Sequence, residues 1–222
     1  MSRPIVELKN LSVGFDSPLI NKLNLKLEKG EIVAIIGISG LGKTTLLRTI
    51  AGLIPKLSGK IIGKVRKRGG IGYIPQRLGL VRHASVYHNV ELGARCGIKV
   101  NDGAGSFFNW NQRKAKVIHE IVKKMGLSDK IDEPIRRLSG GQQRRVATAR
   151  TIAQNPELIL ADEFLSELDK DNADSIIEIM KHHVEQNQCA MLLVEHNIER
   201  AHQIADRVIN LDDYEIKISE EE

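Results

Sequence analysis

The chain has few cysteines, few aromatic residues and no long apolar run. Cys96 and Cys189 lie far apart and outside any C-x-x-C pattern, which argues against a zinc site and fits a reducing compartment. The longest uncharged apolar run, IVAIIGISGLG, is too short to span a bilayer, and no secretory signal opens the sequence. We therefore expect a soluble, intracellular protein without a zinc centre.

The charge of the chain is mildly basic, with a net charge of +5 and a pI of about 9.2. Much of the excess lies in two runs, KVRKR (64–68) and QQRRVATAR (142–150). Aromatic residues make up 4% of the chain, and neither run contains one, so a base-stacking platform is hard to build there. We interpret these runs as solvated faces and expect no nucleic-acid partner.

Apolar patterning predicts an α/β fold with a mostly parallel core sheet. Residues 5–29 alternate as two strands of an antiparallel hairpin, and EIVAIIG (31–37) has the continuous apolar character of a strand buried on both faces. A helix, KTTLLRTIAGL, and a short strand pair around GKIIGKV (59–65) and IGYIPQ (71–76) follow. Beyond residue 138 we expect helix 140–154, strand 158–163, helix 171–186, strand 189–196, helix 198–205 and strand 207–211.

Between these regions the pattern changes. No buried strand is evident from 77 to 137, and RKAKVIHEIVKKMGL (113–127) places Val117, Ile121 and Met125 on one helical face. We therefore predict one domain, 1–222, in which a catalytic lobe, 1–76 with 138–222, carries an inserted helical subdomain, 77–137.

The strongest chemical signal is the loop GISGLGKTT, which matches G-x-x-x-x-G-K-[ST] between a predicted strand and a predicted helix. Backbone N–H groups in such a loop point at phosphate oxygens, and the helix N-terminus attracts negative charge. Lys43 is expected to reach the β- and γ-phosphates, and Thr44 to bind Mg²⁺. The expected phosphate-binding residues are Gly37, Ser39, Gly40, Gly42, Lys43, Thr44 and Thr45.

An acidic pair ends the predicted strand LILADE. A nucleotide bound with Mg²⁺ needs a carboxylate at the end of a neighbouring strand, and Asp162 is placed to supply it. Glu163, one residue further, is placed to act as the general base toward the attacking water. An acidic pair at a strand end is ordinarily just solvated, but the phosphate loop favours the catalytic interpretation.

A second anion-binding turn, LSGGQ (138–142), opens the predicted helix 140–154. Ser139 is a good helix N-cap, and two glycines follow it. These features indicate a P-loop ATPase or GTPase, and no N-K-x-D guanine-binding motif follows the phosphate loop. A single nucleotide needs only one such loop, so a P-loop kinase or another NTPase that binds one nucleotide by itself has no use for the second turn.

At this point the sequence closely resembles the ATP-binding cassette family. The resemblance covers essentially the whole chain and rests on six motifs in the family's order: GISGLGKTT, YIPQ, LSGGQ, LILADE, SELD (166–169) and VEH. It implies that LSGGQ closes over the ATP of a second copy, so that Ser139, Gly140, Gly141 and Gln142 contact a nucleotide held by that copy's phosphate loop.

The resemblance also assigns single residues. Phe15 resembles the aromatic residue that stacks on adenine, with a place in the core as the alternative. Gln76 resembles the glutamine that contacts Mg²⁺ or the water, and His196 resembles the histidine that binds the γ-phosphate. Asp169 resembles the aspartate that communicates across the dimer, and it is also a plausible N-cap of the helix that follows.

The resemblance implies an ATPase subunit that powers a transporter, with ATP and Mg²⁺ as cofactors. Its expected partners are a second copy or a homologous ATPase subunit and separate transmembrane permease subunits, on the cytoplasmic face of the membrane. The alternative is a non-transport relative that acts on nucleic acid or the ribosome. Phe107, Phe108 and Trp110 form an unusual aromatic cluster, which we interpret as a hydrophobic staple rather than a partner surface.

Overall fold

The computed structural model describes residues 3–63, 65–97, 107–166 and 168–212, and the side chains of all of these except 107–110. These residues divide into two compact units. The first unit comprises the described residues within 1–65, 157–163 and 184–222, and the second comprises those within 66–156 and 164–183.

Strands and helices alternate through most of the chain. The strands are β1 (Val6–Gly14), β2 (Pro18–Leu27), β3 (Ile32–Ile36), β4 (Ser58–Gly63), β5 (Ile71–Ile74), β6 (Leu158–Asp162), β7 (Ala190–Val194) and β8 (Arg207–Asn210). The α-helices are α1 (Lys43–Ile50), α2 (Val86–Gly97), α3 (Phe107–Lys124), α4 (Gly140–Gln154), α5 (Lys170–Asn187) and α6 (Ile198–Ile204). Two 3₁₀ turns, Ser128–Lys130 and Ile135–Arg137, lie between α3 and α4.

The first unit contains an antiparallel sheet in the order β2-β1-β4. The β1–β2 hairpin pairs Leu8 with Leu25 and Leu11 with Leu23, and all four side chains are buried. The predicted hairpin over residues 5–29 is therefore confirmed, since alternate apolar side chains of both strands face the same core.

The core sheet of the first unit is parallel, with its strands in the order β6-β7-β3-β8. All five residues of each of β3, β6 and β7 are buried, as their uninterrupted apolar sequences predict. Ala34 in β3 is in register with Leu193 on one side and Val208 on the other. Because the strands are parallel, their carboxyl ends meet at one edge of the sheet, where α/β proteins bind ligands.

The second unit is mainly helical and has its own apolar core. Val90 of α2, Ile118 and Val122 of α3 and Val146 of α4 are completely buried in one cluster. Asn89 is also fully buried, and its side-chain amide bonds the backbone of Val81 and Ser85, which fixes the segment before α2. A helical subdomain was expected here, with apolar periodicity over residues 113–127. The observed helix α3 begins earlier, at residue 107, and ends at Lys124.

Two sequence-based expectations differ from the structure or lie outside it. The predicted strand pair is wrong, because β4 pairs with β1 rather than with β5. The interpretation of Phe107, Phe108 and Trp110 concerns side chains outside those described. The division into lobes 1–76 with 138–222 and 77–137 stays a prediction.

No helix in the described ranges is long and apolar enough to cross a membrane.

Candidate active site

The phosphate loop joins β3, which ends at Ile36, to α1, which begins at Lys43. Gly42, the residue before the helix, has a φ of 88°, in the left-handed region that favours glycine. A Cβ at this position would also lie 2.8 Å from Cβ of Leu19 in β2. Glycine is therefore required here both by backbone conformation and by close packing.

Lys43 lies at the N-terminus of α1 and is 5% exposed. Its ammonium group donates hydrogen bonds to the carbonyl oxygens of Gly37 at 2.6 Å and Ile38 at 2.7 Å. Burial lowers the pKa of Lys43 below its usual value, and the carboxylates of Glu163, Asp212 and Asp162 offset part of that effect. The loop thus holds a cation among carboxylates at the start of a helix.

Thr44 and Asp162 meet at the edge of the parallel sheet. The Thr44 hydroxyl donates to Oδ1 of Asp162 at 3.1 Å. Asp162 is the last residue of β6 and is only 1% exposed. Hydroxyl and carboxylate oxygens are hard ligands, so this pair has the chemistry that suits Mg²⁺.

Glu163 and His196 form a second pair at the same edge. Nε2 of His196 lies 2.6 Å from Oε1 of Glu163 and donates to it when the proton is on Nε2. Glu163 has a φ of 49°, a conformation rare for residues other than glycine, and its backbone N–H donates to the carbonyl of Val194 at 3.1 Å. The strand end therefore turns sharply and directs the Glu163 carboxylate toward His196.

One cavity of about 230 Å³ in the first unit collects most of these groups. Its lining residues are Leu19, Ser39, Gly40, Gly42, Lys43, Thr44, Thr45, Glu163 and His196. A phosphate loop, a general-base candidate and a histidine thus share one site, as phosphoryl-transfer chemistry requires.

Phe15 follows β1 in the first unit and is 65% exposed. This exposure excludes the core position that was the alternative for Phe15. An exposed ring in the β1–β2 connection leaves a flat apolar face open to a ligand.

The LSGGQ turn lies in the second unit and has the predicted cap geometry. Oγ of Ser139 accepts from the backbone N–H of Gln142 at 3.3 Å, and the Gln142 side chain accepts from the Ser139 N–H at 3.0 Å. This reciprocal capping box begins α4. Ser139, Gly140, Gly141 and Gln142 line a cavity of about 430 Å³ together with Arg145, Leu168, Asp169 and Asn172.

The two remaining predicted residues also lie in the second unit. Asp169 accepts from the backbone N–H of Asn172 at 2.9 Å, which confirms it as a helix cap. This hydrogen bond is the main cause that lowers the pKa of Asp169. Gln76 is exposed and lines a different cavity, with Arg77, Gly140 and Arg144 among its other residues.

Three residues of the first unit lie at or beside the site but were not predicted as site residues. Leu19 lines the cavity, Asp212 accepts from the Ile38 N–H at 3.2 Å, and Glu195 directly precedes His196. No local motif marks Leu19 or Asp212, because packing of distant segments brings them to the loop. The sequence did contain an indication for Glu195, because a charged residue that directly follows an apolar strand lies at the sheet edge where ligands bind.

Comparison with known proteins decides the family. A family model described as ABC transporter matches residues 20–166, more than half of the chain, and includes the phosphate loop, LSGGQ and Asp162. The chain belongs to the ABC transporter family. It is an ATP-binding and ATP-hydrolysing subunit, and the family confirms the fold class and the ATPase activity that the motifs predict.

Curated relatives of this ABC protein are ATP-binding subunits of import systems. The phosphonates import ATP-binding protein PhnC of Lactobacillus delbrueckii subsp. bulgaricus is 34% identical over 225 residues, which cover 94% of this chain and 86% of the relative. The Fe(3+) ions import ATP-binding protein FbpC 2 of Haemophilus influenzae is 33% identical over 220 residues, which cover 94% of this chain and 59% of that relative.

Solved ABC cassettes have the same fold. A dimeric bacterial ABC transporter cassette superposes with a TM-score of 0.79 at 28% identity, covering 92% of this chain and 93% of that one. A dimeric post-hydrolysis state bound to ADP and Pi gives a TM-score of 0.79 at 29% identity, with the same shares covered. These similarities favour the transporter ATPase over the alternative acting on nucleic acid or ribosomes.

Proposed function

We propose that the first unit binds ATP with Mg²⁺ in the cavity of about 230 Å³ and hydrolyses it there. The observation that carries this proposal is the presence of two polar pairs at one sheet edge, Thr44 with Asp162 and Glu163 with His196. Gly37, Ser39, Gly40, Gly42 and Thr45 surround the phosphates with backbone and hydroxyl donors, Lys43 contributes a positive charge, and Phe15 stacks on adenine.

Thr44 and Asp162 are the residues that would hold Mg²⁺, and the family resemblance gives Gln76 the same proposed role. Mg²⁺ at a nucleotide keeps several waters and is bound through one or two carboxylates together with substrate phosphates, so a larger acidic cluster is unnecessary. When bound, the ion neutralises charge on the phosphate oxygens. The hydrogen bond between Thr44 and Asp162 orders two hard oxygen ligands for this purpose.

Glu163 is proposed to accept the proton of the attacking water. The water oxygen bonds to the γ-phosphorus, the bond from that phosphorus to the bridging oxygen breaks, and ADP leaves. His196 orients the Glu163 carboxylate through the 2.6 Å contact and is proposed to bind a γ-phosphate oxygen. Lys43 stabilises the negative charge on the transferring phosphoryl group.

We further propose that two copies sandwich two ATP molecules. Residues 139–142 offer a second N-terminal anion site, capped by Ser139, which the first cavity does not use. A two-fold dimer lets each copy give one phosphate loop and one LSGGQ turn. Asp169 lines the same cavity as this turn, which supports its role at the dimer interface.

The dimer is proposed to power import through separate permease subunits on the cytoplasmic face of the membrane. Import is favoured because the relatives described above are named as import subunits. Their named solutes differ, phosphonates in one and Fe(3+) ions in the other, so the proposal concerns direction and not solute. Copurification of apolar membrane proteins in detergent supports the proposed permease partners, whereas salt-sensitive binding to ribosomes or DNA contradicts them.

The hydrolysis proposal is tested by measuring ATP turnover with Mg²⁺ and with a chelator. Turnover should require the ion, and Asp162→Asn should reduce turnover at least about 100-fold because a ligand charge is lost. Asp171→Asn, at an exposed position in the first turn of α5, is the matched control and should keep parental turnover. Equal turnover of Asp162→Asn and the control contradicts the proposed site.

A further inference from the structure

The turn between β7 and α6 contains a buried acidic residue that the roles proposed above leave unused. Glu195 directly follows Val194, the last residue of β7, and is only 5% exposed. The side chain of His196, the next residue, is 42% exposed. A buried carboxyl group thus immediately precedes the histidine that contacts Glu163.

The Glu195 side chain binds the backbone of the turn that it begins. Oε1 accepts hydrogen bonds from the N–H groups of His196 at 2.9 Å and Asn197 at 3.1 Å. The backbone N–H of Glu195 donates to the carbonyl of Ile35 in β3 at 3.1 Å. Glu195 therefore ties the turn to the strand that leads into the phosphate loop.

The start of α6 completes this arrangement. Asn197 is the N-cap of α6, and its Oδ1 accepts from the N–H of Arg200 at 2.8 Å. The Arg200 guanidinium lies 3.9 Å from Oε2 of Glu195. This second carboxylate oxygen, unlike Oε1, makes no hydrogen bond within the described part of the chain. Burying a carboxyl group costs free energy unless the group is hydrogen-bonded and paired with a charge. The two backbone N–H donors and the Arg200 cation offset this cost for Glu195.

We infer that Glu195 is a positioning residue that acts on hydrolysis through His196. The two hydrogen bonds that its Oε1 accepts hold the turn, so that Nε2 of His196 lies 2.6 Å from Oε1 of Glu163. The other member of the pair is held at the same strand end, since the N–H of Glu163 donates to the carbonyl of Val194. This inference rests on the roles proposed for His196 and Glu163.

Two substitutions of similar size separate positioning from packing. Glu195→Gln keeps an oxygen that accepts from both N–H groups, whereas Glu195→Met keeps the approximate volume and removes the acceptor. Small displacements of catalytic groups are costly, so the Met variant should lower kcat about 10- to 100-fold while KM stays within about 3-fold. The Gln variant should keep kcat within about 3-fold.

Glu199→Gln is the matched control, because Glu199 is an exposed acidic residue in the first turn of the same helix. It should keep parental kcat and KM. The inference is overturned if the folded Met variant keeps parental kcat, or if the Gln variant loses as much turnover as the Met variant. A parent without ATP turnover contradicts the proposed hydrolysis instead.

A spectroscopic measurement tests the positioning without turnover. In ¹⁵N-histidine-labelled full-length protein, the His196 signal is assigned by its loss in His196→Gln. Glu195→Gln should leave the Nε2 shift of His196 unchanged, and Glu195→Met should move it toward the shift of free imidazole. An unchanged shift in Glu195→Met overturns the inference. If that variant does not fold, a changed shift in folded Glu195→Gln overturns it and an unchanged one supports it.

Discussion

The hydroxyl of Thr44 donates to Oδ1 of Asp162 at 3.1 Å, although the two residues lie 118 positions apart in the sequence. Thr44 belongs to the first turn of α1, and Asp162 is the last residue of β6. The parallel sheet brings them together, because the carboxyl ends of its strands share one edge. The fold thereby converts two separate motifs into one candidate site.

Lys43→Ala should abolish hydrolysis and weaken ATP binding. A hydrogen bond to a charged group contributes about 1.5–3 kcal/mol, which corresponds to roughly 10- to 150-fold in the dissociation constant. Titration calorimetry and a phosphate-release assay measure both effects. Lys60→Ala, at an exposed position in β4, is the control and should behave like the parent. Unchanged turnover in Lys43→Ala contradicts the site assignment.

Glu163→Gln should retain ATP binding and lose turnover. The amide keeps the shape of the side chain but does not accept the proton of the water, so kcat should fall about 100- to 10,000-fold. Gel filtration with Mg²⁺ and ATP should show a dimer that accumulates because hydrolysis no longer reopens it. Glu178→Gln, on an exposed part of α5, should show parental turnover. A Glu163→Gln variant that stays monomeric counts against the sandwich dimer.

His183 should make the stability of the protein depend on pH. It is 9% exposed, and burial lowers its pKa from 6.5 to about 4, with smaller contributions from Lys124 and His182. Because the unfolded chain binds the proton more readily, this contribution is fully present above pH 6.5 and is lost as the pH falls through 4. The loss is about 3 kcal/mol.

Urea unfolding of the parent and of His183→Gln at several pH values measures this contribution. Between pH 6.5 and 4 the free energy of unfolding should fall more steeply for the parent than for the variant. His202→Gln replaces an exposed histidine and should follow the parental slope. Parallel curves for the parent and His183→Gln contradict the assignment of this pH dependence to His183.

Much of the fold could be predicted because local and tertiary signals agree. Helix α4 has its predicted bounds, 140–154, since the Ser139 capping box marks its start. The buried strands β3, β6 and β7 follow from continuous apolar runs. The partner of β4 could not be predicted, because a short strand does not specify which neighbour it pairs with.

The candidate site was predictable where a motif specifies both the loop and its chemistry, as at Lys43 and Thr44. It was less predictable where distant segments meet. The contact between His196 and Glu163 depends on β7 lying beside β6 and on the left-handed turn at Glu163. Asp212 reaches the Ile38 N–H only because β8 lies beside β3.

The shared nucleotide site is tested by Ser139→Arg. If Ser139 contacts the ATP of a second copy, the dilute monomer should keep its ATP affinity, because Lys43, Thr44 and Phe15 are unchanged. In the Glu163→Gln background the arginine should prevent closure. It clashes at the γ-phosphate and removes a hydrogen bond, a loss of about 1–3 kcal/mol at each of two sites.

The most direct measurement is therefore the ATP affinity of the dilute Ser139→Arg monomer, determined by titration beside the parent and Lys43→Ala. The account predicts an affinity within about 3-fold of the parent, together with loss of the ATP-induced dimer in the Glu163→Gln background. An affinity that falls as far as that of Lys43→Ala shows that residues 139–142 bind the nucleotide of their own chain, and it contradicts the shared site.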